Sequence, residues 1–143
     1  MNSAEYWRLR EEKQRLKNIK DEKEYDKKIK EIYQRMMDEV QSEINNFYAK
    51  YAKDTGITMA EAKKRASNLD MEVYSRKAKQ YVEEKNFSQQ ANDEMKLYNL
   101  TMKVNRLELL KANIGLALVS GHDELEKYME QYNRFSHAFE LEG

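Results

Sequence analysis

The sequence predicts an all-α fold: an elongated helical domain with a long helix, a short helix after Gly56 and further antiparallel helices. Three observations support it. The chain of 143 residues contains no proline and only 4 glycines, where average usage gives roughly seven prolines. Charged residues make up 36% of the chain, and hydrophobic residues still reach 40%. Apolar stripes at helical spacing cross this charged background, which is typical of long, solvated helices around one modest core.

The longest predicted helix covers residues 25–53. At about 1.5 Å per residue it is roughly 40 Å long, so we expect other helices to pack along it. Its apolar side chains recur every three or four residues, which places them on one side of a helix. They are Tyr25, Ile29, Ile32, Met36, Val40, Ile44, Phe47 and Tyr51.

Residues 1–24 are predicted to form an N-terminal helical arm ahead of a helical domain at residues 25–143. Asn2 followed by Glu5 is a capping-box pattern that opens a helix. The charged stretch that follows is too poor in apolar side chains to form a core alone. We expect it to be either an exposed helical arm or a connection into the long helix. Its apolar residues are Leu9, Leu16 and Ile19.

Three residues specify the turn after the long helix. Gly56 suits the left-handed position that follows a helix. Thr58 and Glu61 form a second capping box. These signals predict a short helix over residues 59–66.

Two further helices are each opened by a capping side chain. Asp70 caps a helix over residues 71–85, and Ser88 caps one over residues 89–119. The second of these helices is the expected partner of the long helix, and it carries the apolar residues Leu100, Val104, Leu107, Leu110, Ile114 and Leu118. A second apolar line predicts cover from more than one side: Met102, Leu109 and Leu116.

A last helix is predicted to begin at Ser120 or Asp123. Its apolar residues are Leu125, Tyr128, Met129, Tyr132, Phe135 and Phe139. Long helices with apolar stripes pack within one chain or between chains, so the sequence leaves self-association open.

Composition and charge exclude several classes of protein. Cysteine is absent, so a disulfide framework and a thiolate zinc site are excluded. No run approaches the roughly 18 apolar residues of a membrane span, and no signal-peptide core opens the chain. We therefore expect a protein made in a cytoplasm, without membrane contact. The net charge is zero; basic residues prevail over residues 8–30 and acidic ones over 121–143, which falls short of a nucleic-acid footprint.

The sequence predicts no enzyme, cofactor or metal site. His122 and His137 are the two histidines, and they form no i,i+4 ligand pair. Asp123 and Glu124 beside His122 are typical of a helix N-terminus, where acids oppose the positive end of the dipole. The remaining carboxylates are mixed with basic residues, and none forms an isolated pair in an apolar setting.

Tyr6 and Trp7 are the candidate partner-binding residues. They are adjacent aromatic side chains near a chain terminus, just before a charged stretch. Large aromatic side chains often anchor one protein in a pocket of another. The alternative is that the pair packs on the chain's own first helices.

Four segments resemble the minor head, or head-morphogenesis, proteins of Gram-positive siphophages, which are related to the F protein of Mu-like phages. The match lies in the order and spacing of the segments over residues 1 to about 112. The segments are residues 2–8 (NSAEYWR), 47–52 (FYAKYA), 55–64 (TGITMAEAKK) and 104–110 (VNRLELL).

This resemblance implies a structural protein in the virion, in the capsid interior or at the portal vertex, made in the cytoplasm of a bacterial host. It implies a role in head assembly and DNA delivery, with the portal protein or other head proteins as partners. It implies no catalytic residues. Members of the family usually continue into a second domain, so we expect this chain to be an N-terminal fragment or the product of a truncated gene.

Two other functions remain open at this stage. In some members of the family an ADP-ribosyltransferase toxin domain replaces the second domain, so the chain is alternatively the N-terminal part of such a toxin. The other alternative is a helical protein with weak, non-specific DNA contact. The basic residues between Arg8 and Lys30 motivate it, although acidic residues interrupt them.

Overall fold

A computed structural model describes residues 3–16, 19, 21–120 and 127–134. All regular structure in these residues is helical, which confirms the all-α prediction. The helices are α1 (Ser3–Leu16), α2 (Glu22–Thr55), α3 (Met59–Ser67), α4 (Met71–Glu83), α5 (Gln89–Ser120) and α6 (residues 127–134). Of the two predicted starts of the last helix, Ser120 is the last residue of α5 and Asp123 lies outside the described residues. Asn2 of the first capping box, both histidines, Leu125, Phe135 and Phe139 also lie outside them.

Helix α2 is the predicted long helix, extended by a few residues at each end. Asp21 opens it, because its carboxylate accepts a hydrogen bond from the backbone N–H of Lys23 at 3.0 Å. Gly56 follows it with φ +71°, and the N–H of Ile57 donates to the carbonyl of Ala52 at 3.0 Å. This 6→1 bond with a left-handed glycine is the predicted helix stop.

The next three helices begin at the predicted capping residues. Thr58 Oγ1 accepts from the N–H of Glu61 at 3.1 Å at the start of α3. Asp70 Oδ1 accepts from two backbone N–H groups at the start of α4, both at 3.2 Å. Ser88 Oγ accepts from the N–H of Ala91 at 3.2 Å at the start of α5. Local sequence signals therefore set these boundaries.

Helix α4 ends at Glu83, close to the predicted residue 85, but the conformation of the turn that follows was not predicted. Lys85 follows it with φ +50°, in a left-handed conformation that glycine usually adopts. The N–H of Asn86 donates to the carbonyl of Tyr81 at 2.9 Å, and the N–H of Lys85 donates to that of Val82 at 3.2 Å. This pair of bonds is a complete Schellman motif with lysine in the glycine position.

Contacts divide the chain into two compact units. Unit 1 comprises residues 1–43 and 108–143, and unit 2 comprises residues 44–107. In unit 1, α2 and α5 run antiparallel: Lys111 donates to the side-chain oxygen of Gln41, and Met37 lies against Gly115. The packing of α5 on α2 was predicted.

Large side chains fill the core of unit 1. Helix α6 joins this core, where the rings of Tyr33 and Tyr128 meet edge to face at 6.5 Å. The Tyr132 hydroxyl donates to the carboxylate of Glu43. The buried apolar residues of this unit are Tyr6, Leu9, Leu16, Ile29, Ile32, Tyr33, Met36, Val40, Leu110, Ile114, Ala117, Tyr128, Met129 and Tyr132.

Unit 2 has a core of a different character. Four of its nine buried residues are alanines, so its helices meet through small side chains. The full set is Ile44, Ala52, Ala62, Ala66, Ala91, Leu100, Thr101, Val104 and Leu107. Thr101 is the polar member, and its hydroxyl donates to the carbonyl of Leu97 at 2.8 Å within α5.

The predicted arm and the first part of the long helix lie in the same unit. Leu9 is fully buried and Leu16 is 4% exposed, so α1 contributes to the core of unit 1. Arg35 on α2 forms a bidentate ion pair with Glu12 on α1, in which Nη1 donates to Oε1 at 2.9 Å. This contact ties α1 to α2.

The prediction that α5 is covered from more than one side is wrong for two residues of its second apolar line, whereas the third, Met102, is half-buried. Leu109 is 64% exposed and Leu116 is 69% exposed. The core positions Leu107, Leu110 and Ile114 lie on the opposite side of the helix. The side of α5 that carries Leu109 and Leu116 is therefore at the surface.

Candidate partner-binding surfaces

The structure separates the two predicted partner-binding residues. Tyr6 is 8% exposed and belongs to the core of unit 1, whereas Trp7 is 56% exposed. Neighbouring residues on an α-helix point about 100° apart, so one faces the core and the other the solvent. The two rings still touch edge to face, with centroids 5.6 Å apart and an interplanar angle of 76°. The buried Tyr6 ring thus packs against the Trp7 ring, and of the two rings only that of Trp7 is exposed to solvent.

Arg10 completes the surface around Trp7. Its guanidinium carbon lies 5.4 Å from the centroid of the indole ring, within the range of a cation–π contact. The two residues are one helical turn apart on α1, so the exposed indole of Trp7 and the half-buried Arg10 form one aromatic and cationic patch. An exposed indole ring in such a setting can enter a pocket on another protein. We call Trp7 and Arg10 the α1 patch.

The α1 patch stands on a fixed base. Leu9 and Leu16 hold α1 in the core of unit 1, and the Glu12–Arg35 pair holds its middle against α2. A side chain on a helix positioned in this way loses little additional backbone freedom on binding. This favours Trp7 as an anchor over an aromatic side chain on a loose terminus.

A second exposed apolar surface lies on the last turns of α5. Leu109, Leu116 and Val119 are 64%, 69% and 88% exposed, and the exposed Ala112 lies between the two leucines. Their spacing of three, four and three residues aligns them along one face. The signal was visible in the sequence as the second apolar line, although it was interpreted as a covered surface.

Helix α2 exposes a row of lysines in unit 1. Lys23, Lys27 and Lys30 share one face, and they line an open groove with Asp26 and Leu118. The ion pairs of this part of α2 involve other cations, Lys28 with Glu31 and Arg35 with Glu12. The row is a modest cationic surface that Asp26 interrupts.

A polar cluster joins α4 to α5 in unit 2. The Tyr81 hydroxyl donates to the Glu94 carboxylate, and Lys77 Nζ lies 3.7 Å from Glu94 Oε1. Lys77 Nζ also lies 4.9 Å from the centroid of the Tyr74 ring. We call Lys77, Tyr81 and Glu94 the α4 latch.

Hydrogen bonding sets the ionisation of the α4 latch. The bond from Tyr81 lowers the pKa of the Glu94 carboxyl below its usual value; burial opposes this effect, and the bond from Gln90 and the nearby Lys77 lower the pKa further. The same bond raises the pKa of the Tyr81 hydroxyl. At neutral pH, Glu94 is therefore a carboxylate and Tyr81 a neutral donor, which are the forms that the contact needs.

The described residues contain neither a metal-binding cluster nor a membrane-spanning helix. They contain no group of three or more His, Cys, Asp or Glu side chains placed to hold a metal ion. No helix within these residues has both the length and the apolar character of a membrane span.

Comparisons with known proteins add no relative. No family model, curated protein or solved structure matches this chain.

Proposed function

We propose that this chain is a non-enzymatic structural protein of a phage head, of the minor capsid or head-morphogenesis type. It acts in capsid assembly at the portal vertex and in DNA delivery, in the virion interior or at that vertex. The sequence support is the resemblance of the four segments between residues 2 and 110 to that family. The structural support is a helical framework that presents a supported aromatic side chain at its surface.

The observation that carries the proposal is the exposure of Trp7 on a fixed helix. Tryptophan is enriched among the few residues that dominate binding energy at protein interfaces. Here its neighbour Tyr6 is 8% exposed in the core while Trp7 is 56% exposed, so the same helix anchors itself and presents the ring. The α1 patch is therefore the proposed docking surface for the portal protein or another head protein.

Co-purification with the portal protein encoded by the same genome tests this function. The intact chain should retain the portal protein, and Trp7→Ala should weaken the affinity by on the order of tenfold or more. Phe87→Ala is the matched control, because Phe87 is an aromatic side chain with 80% exposure in unit 2. Tyr6→Ala is unsuitable because it opens a cavity in the core.

Each outcome bears on a different part of the proposal. Normal folding by circular dichroism with equal binding of Trp7→Ala and the intact chain would exclude the α1 patch as the docking surface. Failure of the intact chain itself to bind any head protein of that genome would contradict the head-assembly function. Equal losses for Trp7→Ala and Phe87→Ala would indicate a general surface effect.

A weak DNA contact is a secondary proposal, supported by the lysine row on α2. Lys23, Lys27 and Lys30 lie on one face at a spacing that can follow a phosphate backbone. Binding through phosphates must weaken steeply with salt, because each contact releases a counterion. Retention on duplex DNA that does not change between about 50 and 200 mM salt would contradict this contact.

A further inference from the structure

Helix α4 is the least buried of the five longer helices. None of its 13 residues is buried, whereas the shorter α3 buries Ala62 and Ala66. In the same unit, α5 buries Leu100, Val104 and Leu107. Segments with few buried apolar contacts open at a lower free-energy cost than the core around them. Apolar burial alone therefore holds α4 weakly.

Polar contacts supply the remaining attachment. The Tyr81 hydroxyl and the Lys77 ammonium group both reach the single carboxylate of Glu94 on α5. The Glu94 side chain is 18% exposed and that of Lys77 is 41% exposed, so the pair is partly shielded from water. Hydrogen bonds to a charged group are stronger than neutral ones, and the loss of Glu94 leaves both partners without their acceptor.

We propose that α4 opens from α5 as a unit while the remainder of unit 2 stays folded. In this proposal the α4 latch keeps the helix closed, and Glu94 is its central residue. This inference is independent of the proposed head-assembly function. The opening pivots at two turns with defined ends, the Asp70 cap before α4 and the left-handed Lys85 after it. The capping hydrogen bonds at both ends lie within α4 and its flanking turns, so they need not break when the helix moves.

Opening of α4 changes what α5 presents to a partner. Ala91 and Tyr98 lie one turn before and one turn after Glu94, so the three share a face of α5. Ala91 is fully buried and Tyr98 is half-buried in the closed state. Opening of α4 frees the Glu94 carboxylate on this face, because both contacts from α4 to it are lost.

Amide hydrogen exchange tests the latch residue by residue. Exchange at residues 75–83 of α4 should be faster than at residues 100–107 of α5 in the intact chain, which marks a local opening. Glu94→Ala should accelerate residues 75–83 by on the order of tenfold, because every opening that separates α4 from α5 then costs less, and residues 100–107 should keep the higher opening free energy of the two segments. Exchange of both segments with a common opening free energy in the intact chain would overturn the proposal.

Asp93→Ala is the matched control. Asp93 precedes Glu94 on α5, and its carboxylate accepts from Gln89 at 2.8 Å within that helix. Glu94 accepts a similar bond from Gln90 at 3.3 Å, so both variants lose one i,i+4 contact and gain the same alanine. Only Glu94→Ala removes the contacts to α4. Equal acceleration of amide exchange at residues 75–83 in the two variants would overturn the proposal that Glu94 holds α4 closed.

Tyr81→Phe provides a second and milder variant. It removes only the hydroxyl, so the Lys77–Glu94 pair remains and the acceleration should be smaller than for Glu94→Ala. In a chain that already carries Glu94→Ala, Tyr81→Phe should add little, because its acceptor is gone. Full additivity of the two changes would show that Tyr81 and Glu94 act separately, which contradicts a shared latch.

Discussion

Lys85 at the end of α4 has the left-handed backbone conformation that Gly56 has at the end of α2. Their φ angles are +50° and +71°. Each residue is followed by a 6→1 hydrogen bond, from Asn86 to Tyr81 in one case and from Ile57 to Ala52 in the other. Because a side chain makes this conformation unfavourable for residues other than glycine, the same turn is strained in one place and relaxed in the other.

The strain at Lys85 predicts a stabilising substitution. Lys85→Gly should raise the free energy of unfolding by roughly 0.5–1 kcal/mol, because the left-handed penalty of the folded state disappears. Gly56→Ala should lower it by about 1 kcal/mol for the opposite reason. Urea unfolding followed by circular dichroism measures both. A destabilised Lys85→Gly chain would show that the lysine side chain contributes more than its backbone conformation costs.

Gly115 in α5 is expected to be replaceable. A Cβ at this position would lie 3.5 Å from Cε of Met37 and 4.0 Å from its sulfur, which is ordinary van der Waals contact. Gly115→Ala should therefore stabilise the chain by about 0.5–1 kcal/mol through helix propensity. Thermal unfolding of the two chains checks this. A lower melting temperature would mean that α2 and α5 need the glycine to approach each other.

The Glu12–Arg35 pair should contribute to the attachment of α1. The two side chains are 28% and 39% exposed, so solvent screens the pair in part, and we expect a coupling free energy of roughly 0.5–1 kcal/mol. A double-mutant cycle of Glu12→Gln and Arg35→Met, measured by urea unfolding, isolates this term. The coupling should decrease at high salt. A coupling of zero would show that the pair does not stabilise the attachment of α1.

Acid should weaken the α4 latch. The pKa of Glu94 is lowered in the folded chain, mainly by the hydrogen bond from Tyr81, so Glu94 stabilises the fold above its unfolded pKa and loses this contribution as pH falls through the folded value. The difference in melting temperature between the intact chain and Glu94→Ala should therefore shrink below about pH 4.3. A difference that stays constant from pH 7 to pH 3 would contradict the role of the carboxylate.

Much of the helical framework could be predicted from the sequence because its signals are local. Gly56, Thr58, Asp70 and Ser88 each act on a backbone group within four residues, so their role does not depend on the tertiary structure. The apolar stripe of α2 is likewise a property of one helix. Its central members, from Ile29 to Ile44, are all 8% exposed or less.

Which side chains are exposed could not be predicted, because it depends on how the helices pack against each other. Tyr6 and Trp7 are adjacent, and only the packing of α1 in unit 1 determines which ring is buried. Leu109 appeared to be a core position because the pattern shows that a face is apolar, and not whether another helix covers it. Lys85 was missed because lysine is an unusual residue for a left-handed turn.

The contrast between the two cores determines which mutations each unit can accept. Unit 1 is filled by side chains such as Tyr33, Met36 and Leu110, so truncation there leaves cavities. In unit 2, Ala62 and Ala91 are fully buried, and methylene groups added at buried positions force shifts of side chains or backbone. Core substitutions that reduce side-chain volume should therefore be tolerated least in unit 1, and those that enlarge a buried alanine should be tolerated least in unit 2.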